Sequence, residues 1–154
     1  MQLQDKVAAE ALRLFQEGMN FKAYEYMGAH RERRGELDGV VFRVWAPNAR
    51  AVSVVGDFNK WDRKKNPMEK IENSGVWECF IPQPLMQYDI YKYSVETKDK
   101  TIVLKSDPYA FHGETRPDTA SKIYDLEGYE WHDGAWFEQK KKSPHYSAPV
   151  NIYE

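Results

Sequence analysis

The chain has 154 residues, which suffices for one domain with a proper hydrophobic core and is too few for two large domains. Its 42% hydrophobic and 30% charged residues are typical of a globular protein. The net charge of −2 argues against nucleic-acid binding, because proteins held by phosphate contacts usually carry a basic excess.

The first segment predicts an amphipathic α-helix over residues 1–20. Apolar residues recur there at spacings of three and four, which places them on one stripe of a helix: Leu3, Val7, Ala11, Leu14 and Phe15. Gly18 fits just past the helix end, where a left-handed residue closes the last turn. A stripe this narrow must pack on another part of the chain.

From Gly39 onward the hydrophobic period changes to two, which predicts β-strands. Short alternating runs with turn signals between them follow: "VVFRVWAP", "AVSVVGDF", "GVWECFIP", "YDIYKYSVET", "TIVLKSDP" and "SKIYDL". Because no helical pattern separates them, βαβ units are excluded. We predict an all-β fold, an immunoglobulin-like antiparallel β-sandwich over residues 21–126, preceded by the α-helix.

Within these strands, Trp45 and Trp77 are expected to pack in the core. Tyr91 and Tyr93 are expected on one face, which leaves Lys92 on the other. Cys79, the single cysteine, excludes an intramolecular disulfide and is predicted to be a small core residue.

After Leu126 the alternation ends, and residues 127–154 are predicted to form a linker. Trp131 and Trp136 are expected to anchor this loop on the sandwich, and the triplet 140–142 of lysines is expected to be a solvated stretch. No apolar run approaches the roughly 20 residues of a membrane span, and the N-terminus is unlike a secretory signal. We therefore predict a cytoplasmic protein without a membrane partner.

Catalytic and cofactor motifs are not apparent. The four histidines are far apart and have no Glu or Cys at a metal-ligand spacing, and there is no glycine-rich phosphate loop. The 24 carboxylates are scattered over strands and turns, so nothing selects an acid–nucleophile pair. The residues alone predict a binding module with no cofactor, no metal and no catalytic residue of its own.

The turn "GDFNKWD" is the strongest candidate site. Aromatic residues make up 14% of the chain, and Trp61 lies in this polar turn beside Asn59 and Lys60. A pyranose ring can stack its C–H face on an indole while rim side chains bind its hydroxyls. Trp61, Asn59, Lys60 and Lys92 are therefore candidate sugar-binding residues. The alternative is that Trp61 plugs its own loop while Asn59 binds the local backbone.

Several segments together resemble one family: "YEYMGAH", "VVFRVWAPNARAVSVVGDFNKWD", "SGVWECFIP", "YKYSV", "SDPYAF" and "RPDTASKIYDLEGYEW". They are similar to the N-terminal module of bacterial 1,4-alpha-glucan (glycogen) branching enzymes, a carbohydrate-binding domain of the isoamylase N-terminal type. The resemblance spans about residues 21–154. "WAPN" is shared by several alpha-glucan-active enzymes, whereas "GDFNKW" is shared with branching enzymes and the glycogen-sensing β subunits of an energy-sensing kinase.

This resemblance implies a parent enzyme of glycogen biosynthesis, a retaining hexosyltransferase. Such an enzyme cleaves an alpha-1,4 linkage and transfers the glucan to a 6-hydroxyl, with catalytic carboxylates on a (β/α)₈ barrel. A barrel of about 250 residues cannot fit in this chain, and "PVNIYE" resembles its first strand. We expect a fragment that is inactive alone and that binds alpha-glucan (glycogen or malto-oligosaccharide) and its own barrel. The alternative is a non-catalytic glycogen-sensing or protein-interaction domain, which would not run on into "PVNIYE".

The family's binding residues match in part. Trp61 and Lys92 fall where the kinase-type modules have a stacking tryptophan and a strand lysine. Leu104 and Lys122 fall near the positions of a second tryptophan and an asparagine. With one stacking ring instead of two, we expect binding in the high-micromolar to millimolar range.

Overall fold

The computed structural model describes residues 3–143, 147, 149 and 151–154. Predictions for residues 144–146, 148 and 150, including part of the segment expected to form a barrel strand, lie outside these residues. The described elements are the helices α1 (Leu3–Gln16) and α2 (Gly134–Lys142), and the strands β1 (Gly28–Arg34), β2 (Leu37–Trp45), β3 (Ala51–Gly56), β4 (Glu69–Lys70), β5 (Val76–Ile81), β6 (Ile90–Glu96), β7 (Ile102–Lys105), β8 (His112–Gly113) and β9 (Ser121–Lys122).

The strands form two antiparallel sheets. The first has the order β1-β2-β5-β4, and the second has the order β3-β6-β9-β8, with β7 also paired to β6. The predicted β-sandwich with an N-terminal helix is confirmed. The chain crosses from the first sheet to the second between Trp45 and Ala51.

The core lies between the sheets and follows the alternation in the sequence. It includes Val40, Phe42, Val44, Val52, Val54, Trp77, Ile81, Tyr91 and Tyr93. The predicted inward positions of Trp77, Tyr91 and Tyr93 are confirmed. Cys79 packs against this cluster, and burial raises the pKa of its thiol to about 11.

Strand β1 was not expected, because the strand pattern was predicted to start only at Gly39. The sequence of β1, "GAHRERR", has no apolar alternation, yet it pairs with β2 along seven positions. Its charges are matched across strands: Arg43 of β2 donates to Glu32 of β1 at 3.2 Å and to Glu78 of β5 at 2.6 Å. Ion pairing between neighbouring strands thus replaces the apolar pattern at this edge.

Helix α1 packs on the outer side of the first sheet. Its contact residues Ala8, Ala11, Leu12 and Phe15 meet a buried cluster that includes Tyr26, Met27 and Val76. The predicted stripe is therefore rotated, since Val7 points to solvent and Ala8 and Leu12 face the protein. Gly18 has φ of 70° just past the helix end, as predicted.

The predicted loop after Leu126 is wrong between Gly134 and Lys142, where the chain forms α2. The three lysines at positions 140–142 lie in its last turn, where cations interact favourably with the helix dipole. The predicted anchoring by Trp131 and Trp136 is also wrong, because 76% of the surface of Trp131 and 54% of that of Trp136 are exposed.

The predicted core position of Trp45 is wrong as well, since 55% of its surface is exposed. Alternation along β2 puts Trp45 on the outer face, opposite to Val44. At this end of the strand α1 covers the outer face only in part, and Phe15 meets the indole edge-on with ring centroids 6.4 Å apart.

Candidate functional site

The candidate site is the turn that follows β3. A single 3-10 turn, Asp57–Asn59, is followed by two consecutive residues in the left-handed conformation, Lys60 with φ of 58° and Trp61 with φ of 59°. The backbone N–H of Trp61 donates to the carbonyl of Gly56 at 2.9 Å, and that of Lys60 donates to the carbonyl of Asp57 at 3.1 Å. The turn is therefore closed on itself by main-chain bonds.

Asn59 holds the turn from inside. Only 3% of its surface is exposed. Its side-chain oxygen accepts the N–H of Gly56 at 3.0 Å, and its amide nitrogen donates to the carbonyl of Val54 at 2.9 Å and to Oδ1 of Asn66 at 2.8 Å. Both amide hydrogens are used, so the expectation that Asn59 offers its amide to a ligand at the rim needs correction: it positions the turn.

Trp61 lies at the surface, with 37% of its surface exposed, and belongs to neither buried cluster. Its indole N–H donates to Oδ1 of Asp57 at 2.8 Å, which fixes the ring relative to the turn. The ring that plugs the turn is instead Phe58, which packs against the core and stacks on Phe42 at 6.3 Å between centroids. Phe58 is therefore the ring of this turn that packs on the core, and Trp61 is the more exposed of the two.

The two candidate lysines have different environments. Lys60 is exposed at the tip of the turn, next to Trp61. Lys92 pairs with Val55 across β3 and β6 and is half-buried, and its Nζ donates to Oγ1 of Thr119 at 2.7 Å. Since Tyr91 and Tyr93 point into the core, Lys92 lies on the outer face of the second sheet.

Leu104 and Lys122 share this outer face. Leu104 pairs with Ser94, and Lys122 pairs with Ile90, and directly paired residues point to the same side of a sheet. Leu104 is 53% exposed. The outer face beside Lys92 thus offers an aliphatic side chain where the kinase-type modules have a second stacking ring.

Among the described residues, no group of three or more His, Cys, Asp and Glu side chains could hold a metal ion. None of the helices described there is long and apolar enough to cross a membrane.

The turn and its neighbouring strands match a known domain family. Residues 26–110, which include the turn and Lys92, match the model of carbohydrate-binding module 48, the isoamylase N-terminal domain. The chain belongs to this family. The family predicted from the sequence is confirmed, and the match covers most of both sheets.

Similar proteins extend the likeness beyond the module. The chain is 46% identical to the 1,4-alpha-glucan branching enzyme GlgB of Bacillus cytotoxicus over 145 residues, which are 94% of this chain and 22% of that protein. It is 46% identical over 141 residues to the GlgB of Bacillus caldolyticus, covering 92% of this chain and 21% of the relative. The chain thus spans about a fifth of the length of these relatives.

Solved structures of pullulanases share the fold. A pullulanase from Bacillus acidopullulyticus superimposes with a TM-score of 0.52 and 29% identity, over 65% of this chain and 12% of the pullulanase. A maltotriose complex of PulA from Klebsiella pneumoniae gives a TM-score of 0.52 and 27% identity, over 66% of this chain and 11% of PulA.

Proposed function

We propose that the chain is the glucan-binding and barrel-docking module of a 1,4-alpha-glucan branching enzyme, with the ring of Trp61 as its sugar platform. The observation that carries the proposal is the exposed indole held on a left-handed backbone. For a bulky residue this conformation is a genuine outlier, and such outliers concentrate at functional sites. Membership of module family 48 and the similarity to branching enzymes support the ligand class.

The chemistry of the turn suits a neutral sugar. An indole face buries the apolar C–H face of a glucose ring, and the fixed ring loses little freedom on binding. Lys60 at the turn tip can donate to hydroxyls at the rim. Lys92 can exchange its hydrogen bond to Thr119 for a hydrogen bond to a sugar hydroxyl. Asn59 contributes by holding the turn, without touching the ligand.

Binding by one ring is expected to be weak. Leu104 offers dispersion contact but no aromatic face, so the stacking energy of a second ring is missing. We therefore expect affinity for malto-oligosaccharides in the high-micromolar to millimolar range, the weak end of specific recognition.

The barrel-docking part of the proposal rests on the C-terminal aromatic residues. Tyr129, Trp131, Trp136 and Phe137 are all exposed, and α2 has no buried residue. A nine-residue helix is marginal in water unless an apolar face is packed. These aromatic side chains and α2, here called the aromatic C-terminal segment, would pack on the barrel of the parent enzyme, which would carry out branching in the cytoplasm.

Titration calorimetry with maltoheptaose tests the glucan-binding proposal. Trp61→Gly removes the ring but keeps a residue that accepts the left-handed backbone. We expect wild type to bind and Trp61→Gly to lose the part of the binding heat that comes from the turn. Trp131→Gly, which removes an exposed ring elsewhere, serves as control and should bind as wild type does. Equal binding by wild type and Trp61→Gly would overturn the role of the turn.

A further inference from the structure

A second aromatic groove lies away from the turn of Trp61. It has a volume of about 510 Å³ and is formed where the end of α1, the end of β2 and the β4–β5 connection meet. Small-molecule sites typically measure roughly 300–1,000 Å³. This groove, here called the Trp45 groove, therefore has the size of a binding site, and neither the turn nor the aromatic C-terminal segment contributes to it.

The indole of Trp45 forms the apolar wall and is held on two sides. Phe15 meets it edge-on at 6.4 Å. On the other side lies Gly75, where an added Cβ would come within 2.9 Å of both Nε1 of Trp45 and Cβ of Pro47. Gly75 also has φ of 79°, so other residues would be strained there. More than half of the Trp45 surface nevertheless remains open, so the ring is a fixed platform with a free face.

Polar side chains surround this platform. Gln16, Lys70 and Asn73 line the groove together with the apolar residues. Among the described residues, no hydrogen bond or salt bridge engages the side chains of Gln16 and Asn73, so their donors and acceptors are free for a ligand. Lys70 pairs with Trp77, and its Nζ lies 6.0 Å from the centre of the Trp77 ring, so its ammonium is directed away from Trp45. The groove lining contains no carboxylate and a single cation, which suits a neutral ligand rich in hydroxyl groups.

We propose that the Trp45 groove is a second alpha-glucan site, in which a glucose unit stacks on Trp45 and forms hydrogen bonds with Asn73 and Gln16. The inference rests on the proposed function, because it takes the same ligand class. A protein partner is less well matched, since it would have to pair two solvated polar side chains at the groove wall.

The two sites are too far apart to be one. Trp45 is on the first sheet, joined to the start of β3 by residues 46–50, whereas Trp61 follows the end of β3 in the second sheet. The six residues of β3 alone span about 20 Å. A short oligosaccharide would occupy each site separately, whereas a branched polymer could engage both and gain avidity.

Nuclear magnetic resonance with maltoheptaose distinguishes the two sites in the full 154-residue chain. The indole N–H signals of Trp45 and Trp131 and the side-chain amide of Asn73 are followed in wild type and in Trp61→Gly, and the indole signal of Trp61 is followed in wild type. We expect Trp45 and Asn73 to shift in both proteins with the same midpoint within twofold, while Trp131 stays in place. Asn73→Ala, a change on an exposed turn, should weaken the Trp45 response at least threefold and leave that of Trp61 unchanged.

Each other outcome is decisive. If Trp61 shifts while Trp45 and Asn73 do not, the Trp45 groove is refuted and the proposed function stands. Shifts at Trp45 without shifts at Trp61 support the groove and refute the turn. No shift at any of the three tryptophans refutes both. Equal shifts at Trp45 and Trp131 mean unspecific contact of the sugar with exposed indoles, which refutes the groove as a glucan site. If the groove instead binds a protein partner, the Trp45 signal will not shift when maltoheptaose is added, which also refutes the proposal.

Discussion

Two adjacent residues in the left-handed conformation define the site at the scale of single residues. Lys60 and Trp61 both have positive φ, where an L-residue other than glycine pays roughly 1–2 kcal/mol. Glycine would adopt this backbone at less cost, so Lys60 and Trp61 occupy these positions at the expense of local stability. Conformational strain that is held in place by surrounding hydrogen bonds is typical of positions whose side chains do a task.

This strain leads to a prediction that separates stability from binding. Lys60→Gly should raise the free energy of unfolding by about 0.5–1 kcal/mol, because the left-handed conformation costs glycine nothing. It should also weaken maltoheptaose binding about two- to tenfold, the worth of one hydrogen bond. Urea unfolding and calorimetry measure the two effects. Lys64→Gly, at an exposed position in the loop after Trp61, is the control. Equal stabilisation by both changes would contradict the strain argument.

Asn59 should behave in the opposite way. Asn59→Ala removes three hydrogen bonds of a buried side chain and leaves the Gly56 N–H without its acceptor, so we expect a loss of about 1–3 kcal/mol of stability. Binding should fall only because the turn loosens. The check is the thermal midpoint: an unchanged midpoint in Asn59→Ala together with lost binding would mean that Asn59 contacts the ligand directly.

At the scale of secondary-structure elements, ion pairs link neighbouring strands of the first sheet. Arg43 is buried, lies over the ring of Tyr26 at 4.4 Å and pairs with Glu32 and Glu78, which also bind Arg34. Burial acts to raise the pKa of Glu78, but the charges of Arg43 and Arg34 outweigh it, so the pKa lies below its usual value of 4.5. The cluster connects the edge strand β1 to β2 and β5.

The acid stability of the fold should depend on this cluster. A carboxyl whose pKa is lowered by folding stabilises the protein above its unfolded value of 4.5, and that contribution is lost as pH falls through the folded pKa. Arg43→Met should cost roughly 2–4 kcal/mol near pH 7, because it leaves carboxylates partly buried without their main partner.

The same change should flatten the loss of stability between neutral pH and pH 3. Urea unfolding across this pH range measures both effects. Glu78→Gln should flatten the profile in a similar way. Glu69→Gln, on the exposed strand β4 directly opposite Glu78, is the matched control and should keep the wild-type profile. If the free energy of unfolding of Arg43→Met depends on pH as that of wild type does, this cluster does not determine the acid stability.

Helix α2 should report on docking. Since none of its residues is buried, its amide protons should exchange with hardly any protection in the 154-residue chain, whereas those of β2 should approach the protection of global unfolding. In a protein that also carries the barrel, α2 should become protected. Strong protection of α2 in the short chain would show that the helix does not need a partner.

At the scale of the whole molecule, binding and catalysis are expected to reside in different domains. A (β/α)₈ barrel needs about 250 residues, more than the 154 of this chain. The 154-residue protein incubated with amylose should therefore form no new alpha-1,6 branch points, although it binds the glucan. Branch points above a protein-free blank would overturn the division of roles.

Much of the sandwich follows from local sequence. A period of two places each side chain on one of two faces, and the inward positions of Trp77, Tyr91 and Tyr93 follow from that alone. The turn motif together with several other segments was sufficient to predict the family. Strand β1 was not predicted because it is held by ion pairs across strands and its sequence has no apolar period. Helix α2 was not predicted because none of its residues is buried and its sequence has no strong apolar pattern.

The tertiary structure decided which outward side chains are covered. Alternation predicts that Trp45 leaves β2 on the outer face, but whether a helix then buries it depends on contacts with residues far away in sequence. Phe15 covers only part of it. Phe58 and Trp61 lie three residues apart in one turn, and only the packing of Phe58 on Phe42 and the buried hydrogen bonds of Asn59 determine which ring faces inward. A side chain's direction is set locally, whereas its burial is set by whatever the rest of the chain places over it.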